Sequence, residues 1–155
     1  MIKPSFPLIC ISKENFLDLI PEENFFSKVV TSALVDKEVF KDTILFDSNG
    51  WKWTYEQVSD KFTNNLIARL LAKTFYNPLV DAKVIWTNEG NYDIQQLKDR
   101  LNLCIDKDDD IITQFEDGDI IKEEITKAYN FPDILNILNR YIFEVNEEQL
   151  NKKTS

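Results

Sequence analysis

The side chains with chemistry to offer in this chain are acids. Between Asp106 and Glu124 lie Asp106, Asp108, Asp109, Asp110, Glu116, Asp117, Asp119, Glu123 and Glu124, against two bases, Lys107 and Lys122. The whole chain carries a formal charge of −9, and before Asp106 fourteen acids face twelve bases, so the acidity is local. Carboxylates at this density can hold a cation, exchange protons with a substrate, or present a negative field to a partner. The cation reading has the most specific pattern. Asp106-x-Asp108-x-Asp110 matches the opening of a calcium loop, in which oxygens at the first, third and fifth positions converge on the ion. The match then breaks: Ile111 stands where a glycine makes the sharp turn, and Asp117 where a longer glutamate coordinates through both oxygens. No metal site is expected.

Catalytic signatures are missing. With no histidine, the commonest general base and metal ligand is gone, and Ser-His and Cys-His nucleophiles are excluded. Gly50, Gly90 and Gly118 stand in separate turns, so neither a dinucleotide fingerprint nor a phosphate-cradling loop can be written. Cys10 and Cys104 fall inside apolar runs, LICIS and LNLCI, and read as small buried hydrophobes rather than a disulfide or zinc ligands. The expectation is no catalytic residue and no cofactor. A small enzyme working through two carboxylates alone would need those groups to face each other across a concave pocket.

The acids thus have two further readings. They can be solvated helix starts, since Asp108 to Asp110 and Asp119 each precede an apolar helical pattern and carboxylates favour helix N-termini. They can also form a partner-facing surface. Capping needs only one or two acids and unpaired acids repel, so concentration at this level points to a positively charged protein and away from nucleic acid, which is bound through Lys and Arg. The partner-binding candidates are Asp106, Asp108, Asp109, Asp110, Glu116, Asp117 and Asp119, with Trp51 as an aromatic anchor beside a turn.

What positions these residues is expected to be one α+β domain over 1–145, followed by a tail, 146–155, that frays. Its 155 residues are 43% hydrophobic and 12% aromatic, enough for a core. The apolar run Phe6 to Ile11 is too short for a secretory or membrane segment, so a soluble cytoplasmic protein is expected. Pro7 to Ser12 reads as a buried first strand. Ser12 is placed to cap a helical turn carrying Phe16, Leu17 and Ile20, with a helix continuing through Phe25, Phe26, Val29, Val30 and Ala33. Asn49-Gly50 predicts a two-residue hairpin turn that sets Phe46 opposite Trp53 and Asp47 opposite Lys52. One hairpin face would then gather Ile44, Phe46, Trp51, Trp53 and Tyr55 and pack under the next helix, which Thr54 and Gln57 open as a capping box. That helix carries the stripe Val58, Phe62, Leu66, Ile67, Leu70, Leu71 and Phe75. Ala82 to Thr87 is a strand with Trp86 in the core, NEGN a turn, and Asn91 or Asp93 caps a helix bearing Ile94, Leu97 and Leu101. Beyond the acidic loop the pattern is helical, with short helices over Ile111 to Phe115, ended by Gly118, then Ile120 to Ala128, and one begun by Pro132.

The short first strand, the SNGWKWTYEQ segment, the KVIWTNEG strand and the acidic helical second half together resemble the small acidic immunity proteins of bacterial polymorphic-toxin and contact-dependent growth inhibition systems. That resemblance implies a cytoplasmic protein that binds a cognate toxin domain, frequently a basic nuclease, and blocks its active surface by acidic mimicry of phosphate. An intracellular adaptor or accessory protein is the alternative within the same composition.

Overall fold

The computed structural model describes residues 2–36, 41–63, 66–72, 77–107 and 116–143. Its strands are β1 (Leu8–Ile11), β2 (Leu17–Ile20), β3 (Lys28–Val30), β4 (Ile44–Phe46), β5 (Trp51–Val58), β6 (Leu79–Asp81) and β7 (Lys83–Asn91). Its helices are α1 (Thr31–Val35), α2 (Asp60–Thr63), α3 (Leu66–Leu71), α4 (Ile94–Lys107), α5 (Gly118–Lys127) and α6 (Phe131–Leu138). Five strands form one antiparallel sheet in the order β2-β1-β4-β5-β7, and β3 pairs with β6 separately. The class is α+β, and the described residues beyond Tyr92 are helical in every element.

Strand alternation sends successive side chains to opposite faces and so builds two cores. Ile9, Ile11 and Phe46 point to one face, where Leu97, Leu101, Cys104 and Ile105 of α4, Ile121 and Ile125 of α5, and Phe131, Ile134 and Leu138 of α6 cover them. Leu8, Leu45, Trp53 and Trp86 point to the other, against Ile20 and Phe26. The helical stripes follow the three- and four-residue spacing read from the sequence, and their ends are capped by side chains. The Oδ1 of Asp93 accepts from Gln96 N at 2.8 Å, and the Oδ1 of Asn130 accepts from Asp133 N at 2.9 Å, with Pro132 in the first turn of α6.

Several expectations for the first half are corrected. Ser12 caps no helix: its carbonyl accepts from Asn15 N and its Oγ from Phe16 N, closing a hairpin in which Asn15 takes φ 61° and Leu17–Ile20 is a strand. The helix expected through Phe25 to Ala33 divides into a 3-10 turn at Glu23–Ser27, strand β3 and short helix α1, because the β-branched Val29 and Val30 pair with Val80 and Leu79 of β6 rather than coil. Thr54 opens no helix, since β5 runs on to Val58 against β7, and Gln57 spends its amide on the carbonyls of Phe26 and Lys28. The stripe assigned to that helix is only partly buried, with Phe62 inside and Ile67, Leu70 and Leu71 exposed. The NEGN turn is absorbed into β7, which accommodates Gly90 at φ 93°. Gly118 begins α5 instead of ending a helix.

The hairpin register is also shifted by one residue. Phe46 lies opposite Lys52, and Leu45 opposite Trp53, because the turn closes from Asp47 to Gly50 with Gly50 alone at positive φ (82°). A one-residue slip moves side chains between faces. Ile44 and Phe46 therefore join the helical core while Trp53 and Tyr55 join the other, packed on Phe26 rather than under a following helix. Asp47 does not pair with Lys52. Its carboxylate is buried among N–H groups, accepting from Asn49 N and Trp51 N on Oδ1 and from Trp53 Nε1 and Ser5 N on Oδ2, at 2.8 to 3.3 Å.

Candidate functional site

The acids that the structure describes gather where the end of α4, the length of α5 and the residues after α6 meet. Asp117 holds the N-terminus of α5, its Oδ1 accepting from Asp119 N at 2.9 Å, while Glu116 Oε1 accepts from Asp117 N at 3.0 Å. One turn further, Lys122 Nζ reaches both Asp106 of α4 (2.7 Å) and Asp119 (2.9 Å), tying the two helices together. Glu123 pairs with Lys127 one turn along (2.6 Å). Glu124 takes Arg140 on one oxygen and the Tyr141 hydroxyl on the other.

These contacts set the local proton affinities. The two carboxylates hydrogen-bonded to Lys122 hold its ammonium well above the ordinary lysine range. Lys127 draws the Glu123 carboxyl below its usual value, and Glu123 raises Lys127 in return. The Tyr141 hydroxyl is pushed up, chiefly by its bond to Glu124. Most of these groups stay wet: the side chains of Asp106, Asp119 and Glu123 are 55%, 88% and 66% exposed, so their pairs are surface pairs that add little to stability.

Of the residues singled out from the sequence, Asp106, Asp117 and Asp119 are brought together, with Glu116 at the α5 N-terminus. Asp108, Asp109 and Asp110 lie outside the described residues, as do the helix expected over Ile111 to Phe115 and the tail 146–155. The negative field is smaller than the sequence count implies. Lys127 and Arg140, both outside the acidic segment, fold onto it, so among described residues Glu123 and Glu124 each have a basic partner and Lys122 serves two acids. Trp51 belongs to a separate place. It starts β5 beside the hairpin turn, is 38% exposed, and bonds through its backbone to Asp47 of the hairpin, with no hydrogen bond to the described acids of α4 and α5.

Sequence reasoning passed over Tyr129. It sits between α5 and α6 with 90% of its surface exposed, its backbone N–H bonded to Asp133. The signal was its phase: Ile121, Ile125 and Ala128 form the buried stripe, and Tyr129 falls one residue beyond it. A tyrosine so bare beside acids is the kind of residue that anchors protein interfaces.

For catalysis or metal binding, the described residues offer little. They contain no group of three or more candidate metal ligands, and neither Cys10 nor Cys104 forms a disulfide, Cys104 being buried. Burial first, and then the nearby Asp18 charge, push the Cys10 thiol up to about 12, which leaves it protonated and unreactive at neutral pH. No helix among the described residues is long and apolar enough to cross a membrane. No protein-family model, curated protein or solved structure matches the chain.

Proposed function

We propose that this chain is a non-catalytic binding protein of the immunity type, cytoplasmic, which occludes a basic toxin domain with the acidic edge formed by α4 and α5. The observation that carries the reading is the state of that edge: its carboxylates are solvent-facing, and the bases that reach them do so through exposed contacts. Residues 106–127 carry nine acids against Lys107, Lys122 and Lys127, and Arg140 adds one base from outside that range, so the region stays negative after pairing. Exposed pairs are weak enough for a partner's arginines and lysines to displace them, and the residual charge would steer a cationic surface towards them. Tyr129 supplies the apolar contact that charge alone lacks. The net charge of −9 also opposes binding to nucleic acid.

Co-expression with the polypeptide encoded by the adjacent upstream reading frame tests the proposal. Protection of growth and co-elution of the two chains are expected. Co-elution with a polypeptide that is harmless on its own would replace the immunity reading with an adaptor.

A further inference from the structure

The helical layer does not cover the whole face of the sheet on which it lies. Its core draws on β1, β2 and β4 but on neither β5 nor β7. Where α4 leaves the sheet there is a hollow of about 540 Å3, bordered by Arg100 of α4, Lys52 and Thr54 of β5, Glu89 of β7, and Lys13 with Asp42 from two loops. The register places Lys52 here. It lies opposite Phe46, and the same one-residue shift that sends Phe46 into the helical core turns Lys52 to this side of the sheet.

The charges around the hollow are unequally satisfied. Lys13 is paired with Asp42 at 3.2 Å, and Glu89 accepts the Thr54 hydroxyl at 2.8 Å. Lys52 and Arg100 are among the described cations with no acidic partner, and they are the two that border this hollow. The Nε–H of Arg100 is buried and donates to nothing, which is unfavourable for a donor withdrawn from water. A half-buried guanidinium and an ammonium without an acidic partner, both bordering one concavity of small-molecule size, make the arrangement that takes an oxyanion.

We infer that this hollow binds a small oxyanion, a phosphate monoester carried on a hydroxylated body. Arg100 and Lys52 hold the phosphate, and the Glu89 and Asp42 carboxylates accept hydrogen bonds from the ligand's hydroxyls. The two carboxylates decide the class: they repel a bare polyanion and favour a ligand whose charge is confined to one end. The site is separate from the acidic edge of α4 and α5 and does not depend on the toxin-binding reading.

Titration of the 15N-labelled full chain with glucose 6-phosphate, with inorganic phosphate and with glucose, followed by amide and Arg Nε shifts, tests the inference. Saturable shifts centred on Lys52, Thr54, Glu89 and Arg100 are expected, with glucose 6-phosphate at least tenfold tighter than inorganic phosphate and glucose silent. R100Q and K52Q should each weaken binding tenfold or more. R100K should weaken it nearly as much, because an ammonium cannot reproduce the guanidinium fork, and K61Q, at an exposed lysine outside the hollow, should leave it unchanged. Absence of saturable shifts in a wild-type chain shown by its spectrum to be folded would overturn the inference, and so would equal weakening by K61Q and K52Q, which would mark diffuse charge attraction instead of a site.

Discussion

Asp47 holds the hairpin together without a base. Its carboxylate is almost out of water, takes four N–H donors from the turn, from Trp53 and from Ser5, and its backbone carbonyl accepts the Tyr92 hydroxyl at 2.7 Å. Burial and the Asp47 charge together raise the Tyr92 hydroxyl well above the ordinary tyrosine range, so that proton stays in place. Asp47→Ala strips partners from buried donors and should cost about 3 kcal/mol in urea unfolding. Asp47→Asn should recover only part of that loss, since an amide sets its NH2 against one group of donors. Asp18 illustrates the opposite case. It lies across from Cys10 in β2 with its side chain reaching solvent, and partial desolvation against the sheet raises its carboxyl above the ordinary 3.8, outweighing the Leu19 N–H bond that lowers it. The folded chain therefore binds this proton more tightly than the unfolded chain, and its contribution to stability falls as pH rises from about 3.8 through the raised value. Asp18→Asn should raise the melting temperature at pH 7 and leave it unchanged at pH 3; a lower melting temperature at pH 7 would contradict this. The Asp47 role was not legible from the sequence, because DSNG fits both a two-residue loop at Asn49-Gly50 and the three-residue loop Ser48–Gly50 observed, and only the second turns Asp47 into the N–H groups.

At the scale of elements, what could be read was periodicity with a cap. Helices α4 and α6 announce themselves by apolar residues at three- and four-residue steps behind the Asn91/Asp93 cap candidates and Pro132, while the Asn130 cap of α6 emerged only from the structure, and β1 is marked by a bounded apolar run. What could not be read was where strands stop. Thr54 and Gln57 satisfy a capping box, but Trp53, Tyr55 and Gln57 also alternate, and pairing with seven residues of β7 outweighs a local cap. Likewise Leu17 and Leu19 alternate with Asp18, which is a strand pattern hidden by the helix-like spacing of Phe16 and Ile20. Helix α5 separates the two roles an acid can have. Asp117→Ala removes the cap and should destabilise by about 1 kcal/mol, whereas Glu123→Gln breaks only an exposed i,i+4 pair and should leave stability nearly unchanged. Chemical denaturation of the two variants distinguishes them, and equal losses would mean that α5 is held by its surface charges.

For the molecule as a whole, the α+β class and the helical second half followed from patterning, while the electrostatics did not. Charge can be summed along a chain, but pairing is made in space: Lys122 finds Asp106 and Arg140 finds Glu124 each across sixteen positions, and both contacts reduce the field that the count alone implied. The binding proposal rests on what remains. The most direct measurement is the association rate with the upstream-encoded polypeptide across a salt series, for the wild-type chain and for the Glu116→Lys, Asp119→Lys double variant, which spares the Asp117 cap. If the acidic edge steers the partner, the double variant should associate about tenfold more slowly at low salt, the two rates should converge at high salt, and dissociation should change less than about twofold. Equal association rates for the two chains at low salt would contradict the account.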